Sequence, residues 1–358
     1  MTQEHFNPPV WCGQPRDFQL HNVYEWVGQL STRRDIYCQF WNGFDNANLP
    51  PGYNYYIVSW HTENTSLPWL QRQRKLVDGR IIVLSNNFNY NCYLENVYFI
   101  NYITLHQDLN KMIDLWGVKE TNLTKQYKFS TVCNRISQSK LWITTKLLES
   151  ANHDSLIILN SWLEDKNVHG WQLTGNSELD NLTNVFRDKY LGTIIGDGFD
   201  PADNCQIKNS NPWQPLYTDS AIHFVNSSFH YSFMVNGDQE YIYPGPDIDE
   251  KTLKCLLAGV AFVPCGQFEF YKTLEKFGLE FNYGFDQTWD QDSGNITRFH
   301  SIVKLIDELK QYSTNKLIAL TNESTEYNKN FILTQQFYRR CEKNNNEAID
   351  KIFSLLDA

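Results

Sequence analysis

Short runs of β-branched and aromatic residues alternate with segments of helical periodicity along most of this chain. Strand-like runs lie at 35–40, 55–60, 80–85 and 98–103, then at 128–133, 155–159, 221–225 and 260–263. Helical patterns fall between and after them, at 70–76, 107–116, 141–149, 178–190, 250–257, 269–277 and 298–312. Parallel strands need a long crossover, and a helix is the usual one, so the alternation predicts an α/β fold with parallel sheets. Two such blocks, joined near Gly117 to Tyr127, predict two Rossmann-like domains facing a cleft, over 1–125 and 126–330. Helical patterns at 331–343 and 347–356 predict C-terminal helices, over 331–358, that pack back across the join.

Charge and punctuation narrow the function. A formal net charge of −10 disfavours wholesale binding to nucleic acid or to an anionic membrane. Basic residues still cluster at Arg33-Arg34, Arg72 to Arg80 and Arg339-Arg340, where a solvated helix face or an anionic acceptor would each account for them. No apolar run reaches the ~18 residues of a membrane span, and the polar N-terminus lacks the pattern of a signal peptide, so a cytoplasmic protein without membrane attachment is expected. The eight cysteines form no Cys-X-X-Cys and no cluster with histidine, which predicts free, mostly buried thiols. Walker, Gly-X-Gly-X-X-Gly, Gly-X-Ser-X-Gly and His-Glu-X-X-His motifs are all missing, so no NTPase, dehydrogenase, serine hydrolase or zinc protease announces itself.

The segment from Ile248 to Gly266 carries the most chemistry. Asp249 is placed to cap a helix whose first turn holds Glu250 and Lys251. Leu253, Leu256 and Leu257 form its apolar stripe, Gly259 stops it, and Val260 to Val263 reads as a buried strand. An acid and a base at a helix mouth beside a strand end suit a ribose and a diphosphate. The same pair also suits plain capping and solubility.

This segment resembles the donor-binding stretch of two-domain, nucleotide-sugar glycosyltransferases. The group is that of the α1,3-fucosyltransferase-like and exostosin-like enzymes, together with the glycosyltransferase-like proteins of large phages and viruses. Three further stretches share the pattern: Phe129 to Leu148 with Asn134-Arg135 at a strand tip, Ala221 to Phe229 breaking into Asn226-Ser227, and Tyr271 to Trp289, a helix with a glycine stop and then a strand. The likeness spans about Lys128 to Leu309 and is faint before it. It implies a GT-B-like pair of domains and an inverting, metal-independent sugar transfer that needs no cofactor beyond the donor substrate. It also implies a donor site of Asn134, Arg135, Asn226, Ser227, Glu250 and Lys251, in which Glu250 holds the ribose and Lys251 the diphosphate. Arg135 can grip the diphosphate bidentately. Asn226 or Ser227 can bond donor hydroxyls.

An inverting transferase also needs a base within reach of the acceptor hydroxyl. The strand Tyr55 to Trp60 runs into His61 and Glu63, and either residue at a strand tip fits that role, as does an ordinary loop acid and histidine. Asp247-Ile-Asp249 and Asp290-Gln-Asp292 match the Asp-X-Asp that holds a divalent cation in single-domain transferases. Capping is the competing task, above all for the first triplet. The acceptor is open: a glycan, a small molecule, or a hydroxymethylated base in phage DNA. A separate alternative is a non-catalytic binding module in which Trp162, Trp171 and Trp213 stack on sugars.

Overall fold

The computed structural model describes residues 33–40, 48–60, 67–85, 94–103, 105–133, 138–150, 154–159, 174–193, 195, 211–226, 248–266 and 268–357. It is an α/β structure with two four-stranded, wholly parallel sheets and, among the described residues, ten α-helices. The chain divides into two compact units. The described residues of the first lie within 1–108 and 338–358, and those of the second within 109–237 and 248–337. No described helix is long and apolar enough to cross a membrane.

The first unit carries β1 (Ile36–Phe40), β2 (Tyr55–Trp60), β3 (Arg80–Ser85) and β4 (Val97–Asn101), hydrogen-bonded in chain order. Strand period sorts the side chains to two faces. Ile57, Ile82, Leu84 and Ile100 meet Ala348, Ile352 and Leu356 of the C-terminal helix. Tyr56, Val58, Ile81 and Val83 meet Trp69 and Leu70 of α1 (Leu67–Leu76). After β4 the chain enters α2 (Leu105–Trp116), and the division between the units falls inside that helix, after Asp108.

The second unit carries β5 (Tyr127–Cys133), α3 (Gln138–Ser150), β6 (Ser155–Leu159), α4 (Ser177–Lys189), the single turn α5 (Pro215–Thr218), β7 (Ser220–Val225), α6 (Glu250–Ala258) and β8 (Ala261–Pro264). Its strand order is β6-β5-β7-β8. The chain therefore steps one way from β5 to β6, then returns past β5 to β7 and β8. Helix α7 (Phe270–Glu275), a 3-10 turn at Thr288–Gln291, α8 (Asn295–Leu309) and α9 (Thr314–Leu333) complete the unit.

The two faces of this sheet are set by the β5–β7 register, in which Ser130 pairs with His223 and Thr131 with Phe224. Ser130 and His223 look toward α5, since Ser130 Oγ donates to Leu216 O at 2.6 Å. Thr131 and Asn226 look toward α3, where Asn226 Nδ2 reaches Thr144 Oγ1 at 3.4 Å. Helix α3 packs with α4 and α8, whereas α6 packs with α5 and α9.

Three expectations are corrected. The helical patterns at 331–343 and 347–356 are not two helices. One helix, α10 (Gln336–Leu356), runs through both, and its Asn345 is consumed by a tertiary contact rather than a turn. The strand expected after Gly278 is not one either. Phe281, Tyr283 and Phe285 do alternate inward, but the segment lies beside α9, whose Asn328 supplies Glu280 with both an acceptor (2.7 Å) and a donor (2.7 Å). Lastly, the stripe of Leu253, Leu256 and Leu257 is not the only covered side of α6: Lys251 to Ala258 are all buried, its polar residues included.

Candidate functional site

The carboxyl edge of the second sheet collects the described candidates. Helix α6 enters β8, so its N-terminus lies at the same edge as the ends of β5 and β7. Its start follows the sequence closely. Asp249 is the N-cap, with Oδ1 accepting from Thr252 N at 3.0 Å and from Thr252 Oγ1 at 3.1 Å. Gly259 closes the helix at φ +65°, and a Cβ there would meet Thr121 Oγ1 at 2.7 Å, so glycine is required twice over.

Within the first turn, Lys251 is buried while the Glu250 side chain is 35% exposed, and Lys251 Nζ lies 3.0 Å from Glu250 Oε1. Burial alone would raise the Glu250 carboxyl, but Lys251 and then Lys254 outweigh it and hold the group ionised, below the usual carboxylate range. Asp249 is pushed the other way: its own burial raises it against the pull of Lys251 and the Thr252 bonds. A surface-solubilising pair would leave its lysine in water. Here the lysine is inside and the acid is only partly exposed.

Beneath that turn lies a buried polar cluster that the sequence analysis missed. Lys254 is fully buried, with its ammonium 5.1 Å from the centre of the Tyr217 ring. His223 is fully buried too, with Nδ1 2.8 Å from Ser130 Oγ and its ring 4.8 Å from Tyr217. Burial, then Lys254 and Lys251, drive the imidazole down to about 3, so it is neutral. The available signal was the spacing Lys251, Lys254, which puts both on one helix face.

Asn226 ends β7 on the opposite face. Its Nδ2 donates to Thr131 Oγ1 at 2.8 Å and its Oδ1, fully buried, has no hydrogen-bond partner among the described residues. Asn226 therefore shares an edge with Glu250 and Lys251 but is grouped with α3 rather than with α6. Asn134, Arg135, Ser227, His61 and Glu63 lie outside the described residues.

Other singled-out residues have structural tasks. Asp290 accepts from Phe270 N (2.9 Å) and Tyr271 N (3.1 Å), one carboxylate oxygen to each, at the start of α7. Arg74 holds the carbonyls of Glu95 and Val77, and Arg80 that of Leu355. Trp213 donates to Trp116 O, and the ammonium groups of Lys119 and Lys329 lie over its ring. Trp162 and Trp171 are outside the described residues. Cys38, Cys133, Cys255, Cys265 and Cys341 are free and buried.

As an arrangement, this edge offers an ionised carboxylate for hydroxyl groups, a lysine beside a helix N-terminus for an anion, and a reversal in strand order, where open α/β sheets hold ligands. No family model, curated protein or solved structure matches the chain.

Proposed function

We propose that this protein is a glycosyltransferase that takes a sugar from a nucleoside-diphosphate donor and passes it to a hydroxyl acceptor, with inversion and without a metal ion. The reading is carried by the first turn of α6, with buried Lys251 against partly exposed, ionised Glu250 at the carboxyl edge of a sheet whose strand order reverses. Glu250 would accept the ribose hydroxyls. Lys251 and the helix N-terminus would neutralise the diphosphate as it leaves. The acceptor oxygen attacks the anomeric carbon, the bond from that carbon to the phosphate oxygen breaks, and the acceptor proton passes to a general base, the role for which the sequence offers Glu63 and His61.

Thermal unfolding tests this with UDP, GDP, CDP and ADP and their common sugar conjugates, on the native protein and on Lys251→Ala. A nucleotide at a hundred times its dissociation constant stabilises by about 2.7 kcal/mol. One nucleotide should shift the native protein and fail to shift the variant. Turnover should then survive EDTA. No shift with any nucleotide defeats the reading. Donor binding without transfer or hydrolysis would instead favour the non-catalytic binding module, and a salt-sensitive gel shift with hydroxymethylated DNA would fix the acceptor as that base.

A further inference from the structure

Helix α10 runs against the strands of the first sheet. Asn344 Nδ2 donates to Asn101 O at 3.1 Å and Asn345 brackets Ile103, at the carboxyl end of β4, whereas Arg80 at the start of β3 donates to Leu355 O at 3.0 Å. The turns of α10 before Asn344 therefore extend past the carboxyl edge, the edge at which α/β sheets hold ligands. Glu342 stands in those turns with its side chain 34% exposed. Its Oε1 lies 2.6 Å from Nε2 of His106, a buried residue in the first turn of α2, soon after β4. Tyr338, one turn before Glu342, packs its ring edge-on to the imidazole at 4.9 Å, and its hydroxyl donates to the same carboxyl group. All three residues belong to the first unit. Burial lowers the imidazole below its ordinary value, against the pull of Glu342, so it is neutral and its one N–H donates to the acid. Nδ1 is then a bare acceptor, buried and without a hydrogen-bond partner among the described residues. A buried donor behind a partly exposed acid fixes the carboxyl group without covering it. A histidine that only tied α2 to α10 would be served as well by a buried acceptor.

We propose that Glu342 is the acceptor-side general base of the transfer, with His106 and Tyr338 as its positioning residues. The inference rests on the transferase reading above. Glu342 takes the proton of the acceptor hydroxyl as the acceptor oxygen bonds to the anomeric carbon, and the electron pair of the breaking bond leaves on the diphosphate. His106 and Tyr338 hold the carboxyl group in one orientation, so the exposed part of the group is aimed before the acceptor arrives.

The test is release of nucleoside diphosphate by the full chain from the common sugar conjugates of UDP, GDP, CDP and ADP, with water and with p-nitrophenyl glycosides as acceptors. Glu342→Gln should lower release by at least about a hundredfold and leave the thermal shift given by the donor unchanged. In Glu342→Ala, added formate should restore at least about tenfold of the lost turnover, which a merely structural carboxyl group would not allow. His106→Gln keeps an N–H for Glu342 and should keep most of the turnover that His106→Leu loses. Unfolding midpoints verify that the unit still folds, and if Glu342→Gln does not fold, Glu342→Asp, which withdraws the carboxyl group by one methylene, replaces it and should lose at least about tenfold. Release close to native in the glutamine variant, or a loss in Glu342→Ala that formate does not relieve, overturns the base while leaving Lys251 and the donor reading standing. Failure of the native protein to release diphosphate from any donor overturns both.

Discussion

His223 sits in β7 with Ser130 on one side and the ammonium groups of Lys251 and Lys254 beyond it. Its folded pKa of about 3 lies below the value of about 6.5 that an unfolded chain gives it, so the unfolded chain binds the proton first. Its contribution to stability is complete above pH 6.5 and is lost as pH falls from there toward 3, at a limiting ~1.4 kcal/mol per pH unit. His223→Asn keeps a partner for Ser130 and removes the titration. Between pH 6.5 and 4, the native protein should lose roughly 2–3 kcal/mol more than this variant in urea unfolding. Parallel losses in the two proteins would show that the imidazole is not held neutral. The site was partly legible at this scale. Asp249, Glu250, Lys251 and Gly259 are readable because capping and helix-stop chemistry is local. Lys254 and His223 were passed over because their burial depends on what α5 and α9 bring to them.

Two asparagines show why element boundaries were less legible than element types. Asn345 in α10 accepts from Ile103 N and donates to Ile103 O, both at 2.8 Å, and Asn328 in α9 does the same for Glu280. Each amide stands in for one residue of a neighbouring strand. The run Asn344 to Asn346 reads as a turn by local preference, yet the helix continues through it because Asn345 has this tertiary partner. Helix α9 escaped notice for a related reason. Its buried face includes Thr321, Ser324, Thr325 and Asn328, so no apolar period marks it. Asn345→Ala leaves a buried N–H and a buried C=O unpaired and should cost about 2–4 kcal/mol. The exposed neighbour substitution Asn346→Ala should stay within about 0.5 kcal/mol. Similar unfolding midpoints for the two would refute the strand-mimic role.

For the molecule as a whole, the alternation of strand and helix was enough to predict parallel α/β sheets, and both sheets are parallel throughout. Strand order is another matter. Nothing local distinguishes the first sheet, which runs β1-β2-β3-β4, from the second, which reverses at β5, because order is decided by which faces the crossovers cover. Among the described residues only the second sheet has a reversal, and because open α/β sheets commonly hold ligands at such a point, the donor site is proposed there rather than in the first. The first unit raises a further whole-chain consequence. One face of its sheet is covered from the far end of the chain, by Ala348, Ile352 and Leu356. That contact forms only after the second unit has been threaded, so the first unit cannot complete its core from its own N-terminal stretch. Ile352 is fully buried, and Ile352→Ala should cost about 2–4 kcal/mol through lost transfer energy and the cavity left behind. Native-state hydrogen exchange should locate that cost. A loss of 2 kcal/mol speeds globally limited exchange by about thirtyfold. The increase should fall on the amides of β1 to β4 and leave those of β5 to β8 unchanged. Equal acceleration in both sheets would mean that the two units unfold as one, and acceleration confined to β5 to β8 would mean that α10 belongs to the other core.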